Sequence, residues 1–204
     1  MKKVTLEKKL TEGNVAKQLI RFALPFLISN IIQTLYNVAD MLIVGNYVGP
    51  VGVSGVNIGG QVTFILTNIV IGLSVGGTVI IAQYLGSGDR KSMNESVATL
   101  ITSLLVAAVV FTVVMLLLSD TILELIQTPQ ESYAQAREYL NITLTGTVFI
   151  FGYNAFSAIL RGMGDSRRPL IFVTIACVIN IFLDLLFVGG FGMEAMGAAL
   201  ATVI

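Results

Sequence analysis

Residues Leu35–Gly49 read LYNVADMLIVGNYVG, and Asp40 is the anomaly in them. The run is otherwise mostly Leu, Ile, Val, Met and small residues, with Tyr36, Asn37, Asn46 and Tyr47 among them, the composition of a helix that lives in hydrocarbon. A carboxylate placed inside such a run is costly and marks a pathway, a relay or a partner. Where the run lies, and what faces Asp40, decides how the chain is read.

Over the 204 residues, 55% are hydrophobic and 12% are charged. Mean hydropathy is +0.86. A soluble domain carries about 25% charged residues, so lipid is the expected solvent. Formal net charge is zero, which offers nothing to nucleic acid. There is no histidine, and so neither the commonest metal ligand nor the usual near-neutral acid–base group. The single cysteine, Cys177, cannot form an internal disulfide. No Ser-His-Asp or Cys-His nucleophile can be assembled, so an enzyme is not expected, nor is a cofactor. The N-terminal stretch lacks the short apolar core and small-residue cleavage site of a signal peptide. The first apolar run therefore reads as a retained membrane helix.

A spanning helix needs about 20 mostly apolar residues. Five segments qualify: Leu19–Val44, Val53–Leu85, Val97–Leu118, Tyr139–Leu160 and Leu170–Val188. A sixth opens near Met193 and runs to Ile204, too short for a bilayer of about 30 Å at 1.5 Å per residue. The reading is an all-α polytopic membrane protein with five complete helices and a truncated sixth, and a chain that is a fragment of something longer. Residues 1–18 are expected as an N-terminal segment and 19–204 as the transmembrane part. Orientation follows from Lys and Arg. Lys2, Lys3, Lys8, Lys9, Lys17, Arg21, Arg90, Lys91, Arg161, Arg167 and Arg168 fall on one side, and Arg137 opposite. The basic side is read as cytoplasmic, with the N-terminus there. Acidic residues Asp120, Glu124, Glu131, Glu138 and Glu194 collect on the other side.

Ten of the twelve acidic residues lie in loops or at helix ends, and the exceptions are Asp40 and Asp184. Asp40 comes five residues before Gly45, and Asp184 five before Gly189. Both should sit about 7 Å inside the outer end of their helices, hence at matched depth. Ser29, Gln33, Asn37 and Asp40 form one helical stripe, and Cys177, Asn180 and Asp184 another. In lipid such faces turn toward other helices or a wet cavity. Tyr36, Asn57, Gln61, Asn68 and Asn154 are the other cavity-lining candidates, Asn154 lying deepest toward the basic side. Apart from Arg21 at the basic edge of the first, no Lys or Arg occurs within a span, so neither carboxylate has a counter-ion at its depth. A proton would neutralise such a pair. So would Na⁺, helped by the amide oxygens of Asn37 and Asn180. Simple hydrogen bonding between helices is the bland alternative, and matched depth argues against it.

Gly72, Gly76 and Gly77, and again Gly197 with Ala201, read as small-residue helix contacts. Pro25 removes one helical bond to the Arg21 carbonyl. GMGD at Gly162–Asp165 spells the string of intramembrane aspartyl proteases, but its flanking Arg161, Arg167, Arg168 and Pro169 place it in a loop.

EGNVAKQLIRFALPFLISNIIQTLYNVADMLIVGNYVG resembles the opening of multidrug and toxic compound extrusion (MATE) transporters, matching at Pro25, Gln33, Asp40 and Gly45. AQYLGSGDRK, LRGMGDSRRP and NIFLDLLFVGGFGMEAMGAALAT resemble the family's later loops and helices, in order. The phrasing LYNVADMLIVG is similar to the bacterial multidrug branch. The resemblance implies a two-lobe, twelve-helix transporter of which this chain supplies the N-terminal lobe, the second lobe of the full-length protein being its partner. It implies antiport of cationic or amphipathic drugs and toxic compounds against H⁺ or Na⁺ in the cell inner membrane. By match, Asp40, Asn180 and Asp184 would form the cation site. Two other readings are weighed. One is a flippase for lipid-linked saccharides on a related fold, which would line its cavity with Arg or Lys. The other is a non-transporting membrane scaffold.

Overall fold

The computed structural model describes residues 14–204. The expectations for Lys2, Lys3, Lys8 and Lys9 lie outside these residues. Seven α-helices follow in order: α1 (Val15–Tyr47), α2 (Pro50–Ser87), α3 (Arg90–Leu125), α4 (Gln130–Thr145), α5 (Thr147–Gly162), α6 (Arg167–Asp184) and α7 (Glu194–Val203). A π-helical turn, Leu185–Gly190, extends α6. Among the described residues, α1, α2, α3 and α6 with its π turn are each long and apolar enough to cross a membrane. The pair α4–α5 forms a further span, bent by 50°.

All five expected spans are present. Four are longer than the apolar runs because capping residues and flanking charges extend the helices into the interface. Asn14 caps α1 by accepting from the Lys17 N–H, and Asp89 caps α3 by accepting from the Ser92 N–H. Pro50 sits in the first turn of α2, where its missing N–H is harmless. The fourth span differs most from expectation. It was read as Tyr139–Leu160, but helix begins at Gln130 and breaks at Gly146. The polar first turns of α4 hid the true start from a search for apolar runs.

The helices pack in two sets. In one, α2, α4 and α7 run parallel. Gly55 faces Gln135 and Ala136, Gly59 faces Tyr139 and Leu140, and the Thr63 and Thr143 hydroxyls meet at 3.1 Å. Gln135 at the start of α4 donates to Glu194 at the start of α7. Here the small-residue reading needs correction. A side chain at Gly72 or Gly76 would meet nothing, whereas Gly77 does pack, against Leu100 of α3, and the close approach to α4 lies at Gly55 and Gly59. The spacing of four is the same in both places, and only the rotation of α2 tells which turn faces α4. Gly197 does pack, against Phe187 and Met193, and Ala201 is buried.

In the other set, α1 runs parallel to α6 and touches the rest of the bundle mainly near its C-terminal end. Its buried residues are Ser29, Asp40, Ile43 and Val44. The long apolar remainder, including Leu19, Leu24, Ile31 and Leu42, is exposed, as a lipid-facing surface must be. The helix continues through Pro25. Ser29 Oγ donates to the Pro25 carbonyl at 2.9 Å, and the Arg161 guanidinium lies over the Phe26 ring, 5.7 Å from its centre.

Candidate functional site

The two carboxylates that the sequence singles out come together. Asp40 on α1 is 7% exposed, and Asp184, the last residue of α6, is fully buried. Their side chains are within hydrogen-bonding reach of each other. Two ionised carboxylates have no proton to share, and other donors are missing too. Asp40 Oδ1 and both oxygens of Asp184 are buried without a partner. Asn180, one turn before Asp184, is also buried, and its Oδ1 has no donor. These four oxygens form an acceptor-only set. Buried polar atoms are nearly always satisfied, so such a set needs an explanation.

Sequence and packing together put them there. Asp40 ends the polar stripe of α1 that starts at Ser29, and Ile43 and Val44 beyond it pack with Val56 and Val188. On α6, Cys177, Asn180 and Asp184 keep one helical face. Directly after Asp184 the helix widens into the π turn, with Phe191 N–H reaching the Leu186 carbonyl at 2.9 Å. Such turns concentrate at functional sites. Gly189 permits the close approach: a Cβ there would sit 3.0 Å from the Tyr47 ring of α1. The end of α1 thus lies flat on the π turn just beyond the carboxylates.

Two tyrosines border the pair. Tyr36 on α1 and Tyr139 on α4 both lie in the field of Asp40 and of Asp184. Thr202 of α7 lies near Tyr139, its hydroxyl donating to the Ala198 carbonyl, and Tyr139 packs with Ala195, Ala198 and Ala199 of α7. Neither Tyr139 nor Thr202 was among the sequence candidates. Tyr139 was taken as a helix boundary, whereas it sits well inside α4. Thr202 carries a hydroxyl like many others in the spans, and no spacing distinguishes it. Between α1 and α6, next to Tyr36, opens an apolar crevice of about 200 Å³ lined by Ile32, Leu35, Thr174, Cys177, Val178 and Ile181.

The remaining candidates lie elsewhere. Gln33 is half-buried and Asn37 is exposed. A step of three residues falls about 60° short of a full turn, which rotates Asn37 off the line joining Ser29 to Asp40. Asn57 and Gln61 hydrogen-bond to each other at 3.0 Å on an exposed face of α2, and Asn68 donates to the Phe64 carbonyl of its own helix. Asn154 is buried on α5 and donates to the Ile150 carbonyl at 2.8 Å. Asp165 accepts from the Arg167 N–H and pairs with Arg168 in the α5–α6 turn. It is a loop residue, not half of a membrane carboxylate dyad. No cluster of three or more His, Cys, Asp or Glu suited to a metal occurs among the described residues.

The profile of the MatE family matches residues 25–186. The chain belongs to the MatE family. Its relatives include the probable multidrug resistance protein YpnP of Bacillus subtilis, 32% identical over 95% of this chain and 44% of that protein. The probable multidrug resistance protein NorM of Thermotoga maritima is 34% identical over 93% of this chain and 42% of that protein. Among solved structures, the outward-facing conformation of a multidrug resistance MATE family transporter of the MOP superfamily superposes with a TM-score of 0.88, at 30% identity. It covers 94% of this chain and 42% of that one. The chain thus spans less than half the length of the MatE proteins it matches, as one lobe of a two-lobe transporter does.

Proposed function

We propose that this MatE chain is the ion-coupling lobe of a secondary antiporter that exports cationic or amphipathic compounds, drugs and toxins included, in exchange for H⁺ or Na⁺. One observation carries the reading: Asp40 and Asp184 lie within reach of each other, and Asp40 Oδ1, Asn180 Oδ1 and both Asp184 oxygens are buried without a hydrogen-bond partner among the described residues. A proton or Na⁺ supplies the missing positive charge. Binding it favours close approach of α1 and α6, and losing it leaves two like charges that push the helices apart. A bound ion therefore biases one arrangement of α1 over the other, which is what exchange between two access states requires. Gln33, Tyr36, Asn37, Asn57, Gln61 and Asn68 line or border the path on this side, and Asn154 acts only through packing on α5. The second lobe closes the cavity.

The eleven basic residues on one side support a cytoplasmic N-terminus in a cell whose inner membrane holds the protein. A lipid-linked saccharide flippase would need cations inside the cavity. Here Arg161, Arg167 and Arg168 sit at helix ends. The test is efflux from proteoliposomes of the full-length transporter under separately imposed proton and sodium gradients. Efflux driven by neither gradient refutes antiport. Efflux that survives both Asp40→Asn and Asp184→Asn refutes the site.

A further inference from the structure

The bend between α4 and α5 has an unexpected tenant. Gly146 adopts φ −78 and ψ −5, a backbone open to any residue. Glycine is therefore not needed there for its conformational freedom. What it supplies is space. A Cβ on Gly146 would collide with both γ-methyls of Val203 and lie 2.9 Å from the Val203 Cβ. The bend is otherwise well satisfied. Thr112 Oγ1 of α3 donates to the Leu144 carbonyl, Thr145 Oγ1 to the Ile142 carbonyl, and the Gly146 N–H to the same Ile142 carbonyl. The bend contains no proline. The one demand the position makes is contact with α7.

That contact is adjacent to the ion site. Thr202 precedes Val203 and donates to the Ala198 carbonyl, and Ala198 and Ala199 pack with Tyr139. Tyr139 packs in turn with Ile43 and Val44 of α1 and Val188 of the π turn, the residues that follow Asp40 and Asp184. The rest of the α4-facing side of α7 is Ala195, Ala198 and Ala199, all fully buried and without reach of their own. Against α4, the position of α7 is thus set at its two ends, Gln135 with Glu194 at one and Gly146 with Val203 at the other. We propose that Gly146 is a positioning residue for the ion site: by seating Val203 it holds α7 against Tyr139 and so fixes the packing behind Asp40 and Asp184. This rests on the ion-coupling reading above.

The test uses the full-length transporter in proteoliposomes, with the ion concentration giving half-maximal efflux as the readout. Gly146→Ala is expected to raise that concentration several-fold while leaving the substrate KM at saturating ion unchanged. Val203→Ala in the same protein is expected to restore the ion dependence, because it empties the space the new methyl needs. A general loss of packing would lower efflux at every ion concentration without moving the half-maximal ion concentration. If Gly146→Ala does not fold, Val203→Ile crowds the same seat and must give the same shift. An unchanged ion dependence in the folded crowded variant, or no recovery in the double variant, overturns the inference. Asp184→Asn separates the two claims. If it abolishes coupling while the crowded seat has no effect, only the role of Gly146 fails.

Discussion

Two seams cross this bundle, and they treat polar groups in opposite ways. Along α2 with α4 and α5, hydroxyls join helices. Thr63 meets Thr143, Thr78 donates to the Ala158 carbonyl at 3.1 Å, and Thr112 on α3 reaches the Leu144 carbonyl. Where a hydroxyl such as Ser74 Oγ goes without a partner, it is at least neutral. Along α1 with α6, the buried groups include two carboxylates, and Asp40 Oδ1 and both Asp184 oxygens lack a donor. The first seam is finished as folded. In the proposed function the second is completed by a cation. The comparison teaches that in a membrane bundle an unsatisfied acceptor is more informative than a satisfied one, because hydrocarbon offers no water to excuse it.

The largest effect expected from breaking this contrast is in the second seam. Asp184→Asn puts a neutral amide where both carboxylate oxygens lacked partners, and ion-driven efflux should fall to near background with little loss of thermal stability. Asp40→Asn should follow with a smaller stability change, since only one of its oxygens is orphaned. Efflux and thermal unfolding in detergent, measured on the same preparations, check both. The reverse pattern belongs to the first seam. At Gly59 a Cβ would sit 2.8 Å from the Tyr139 ring and 3.0 Å from the Ala136 carbonyl. Gly59→Leu should therefore destabilise by about 1–3 kcal/mol, as overpacking does. Thr63→Val should cost only about 0.6 kcal/mol, the average for an interhelical hydrogen bond in a membrane, and leave ion dependence unchanged. A strong ion-coupling defect in Thr63→Val would erase the distinction between the seams.

The smallest expected effect lies outside both. The Ser92 hydroxyl and N–H, donating to Asp89, hold its carboxyl below the usual carboxylate range. A group whose value is depressed on folding stabilises above its unfolded pKa, about 3.9, and that gain is lost as pH falls through the folded value. Asp89→Ala should thus lower the unfolding temperature slightly at neutral pH and not at all in strong acid. A difference that persists in acid would assign the effect to the helix itself.

Much of this was legible in the chain. Apolar runs of span length, breakers between them and the sorting of basic residues announced the helices, because each depends only on the contrast between lipid and water along the sequence. Asp40 and Asp184 stood out for the same reason, and equal distances from Gly45 and Gly189 put them at one depth. Tyr139 and Thr202 did not stand out, since hydroxyls are common in spans and nothing local distinguishes one beside a carboxylate from one beside a carbonyl. Nor did the choice of Gly55 and Gly59 over Gly72 and Gly76 as the packing seam, which depends on how α2 is rotated against α4.

By itself, then, the amino-acid sequence determined that this protein is a bundle of membrane helices carrying two acidic residues that hydrocarbon would not tolerate alone. It settled that through hydropathy and spacing, which are properties of one helix at a time. Only the tertiary structure decided that α1 lies parallel to α6, that the carboxylates face each other with their donors missing, and that α7 rests on a glycine at the bend of its neighbour. Those outcomes depend on the relative rotation and approach of helices distant in sequence, which no single stretch of residues encodes.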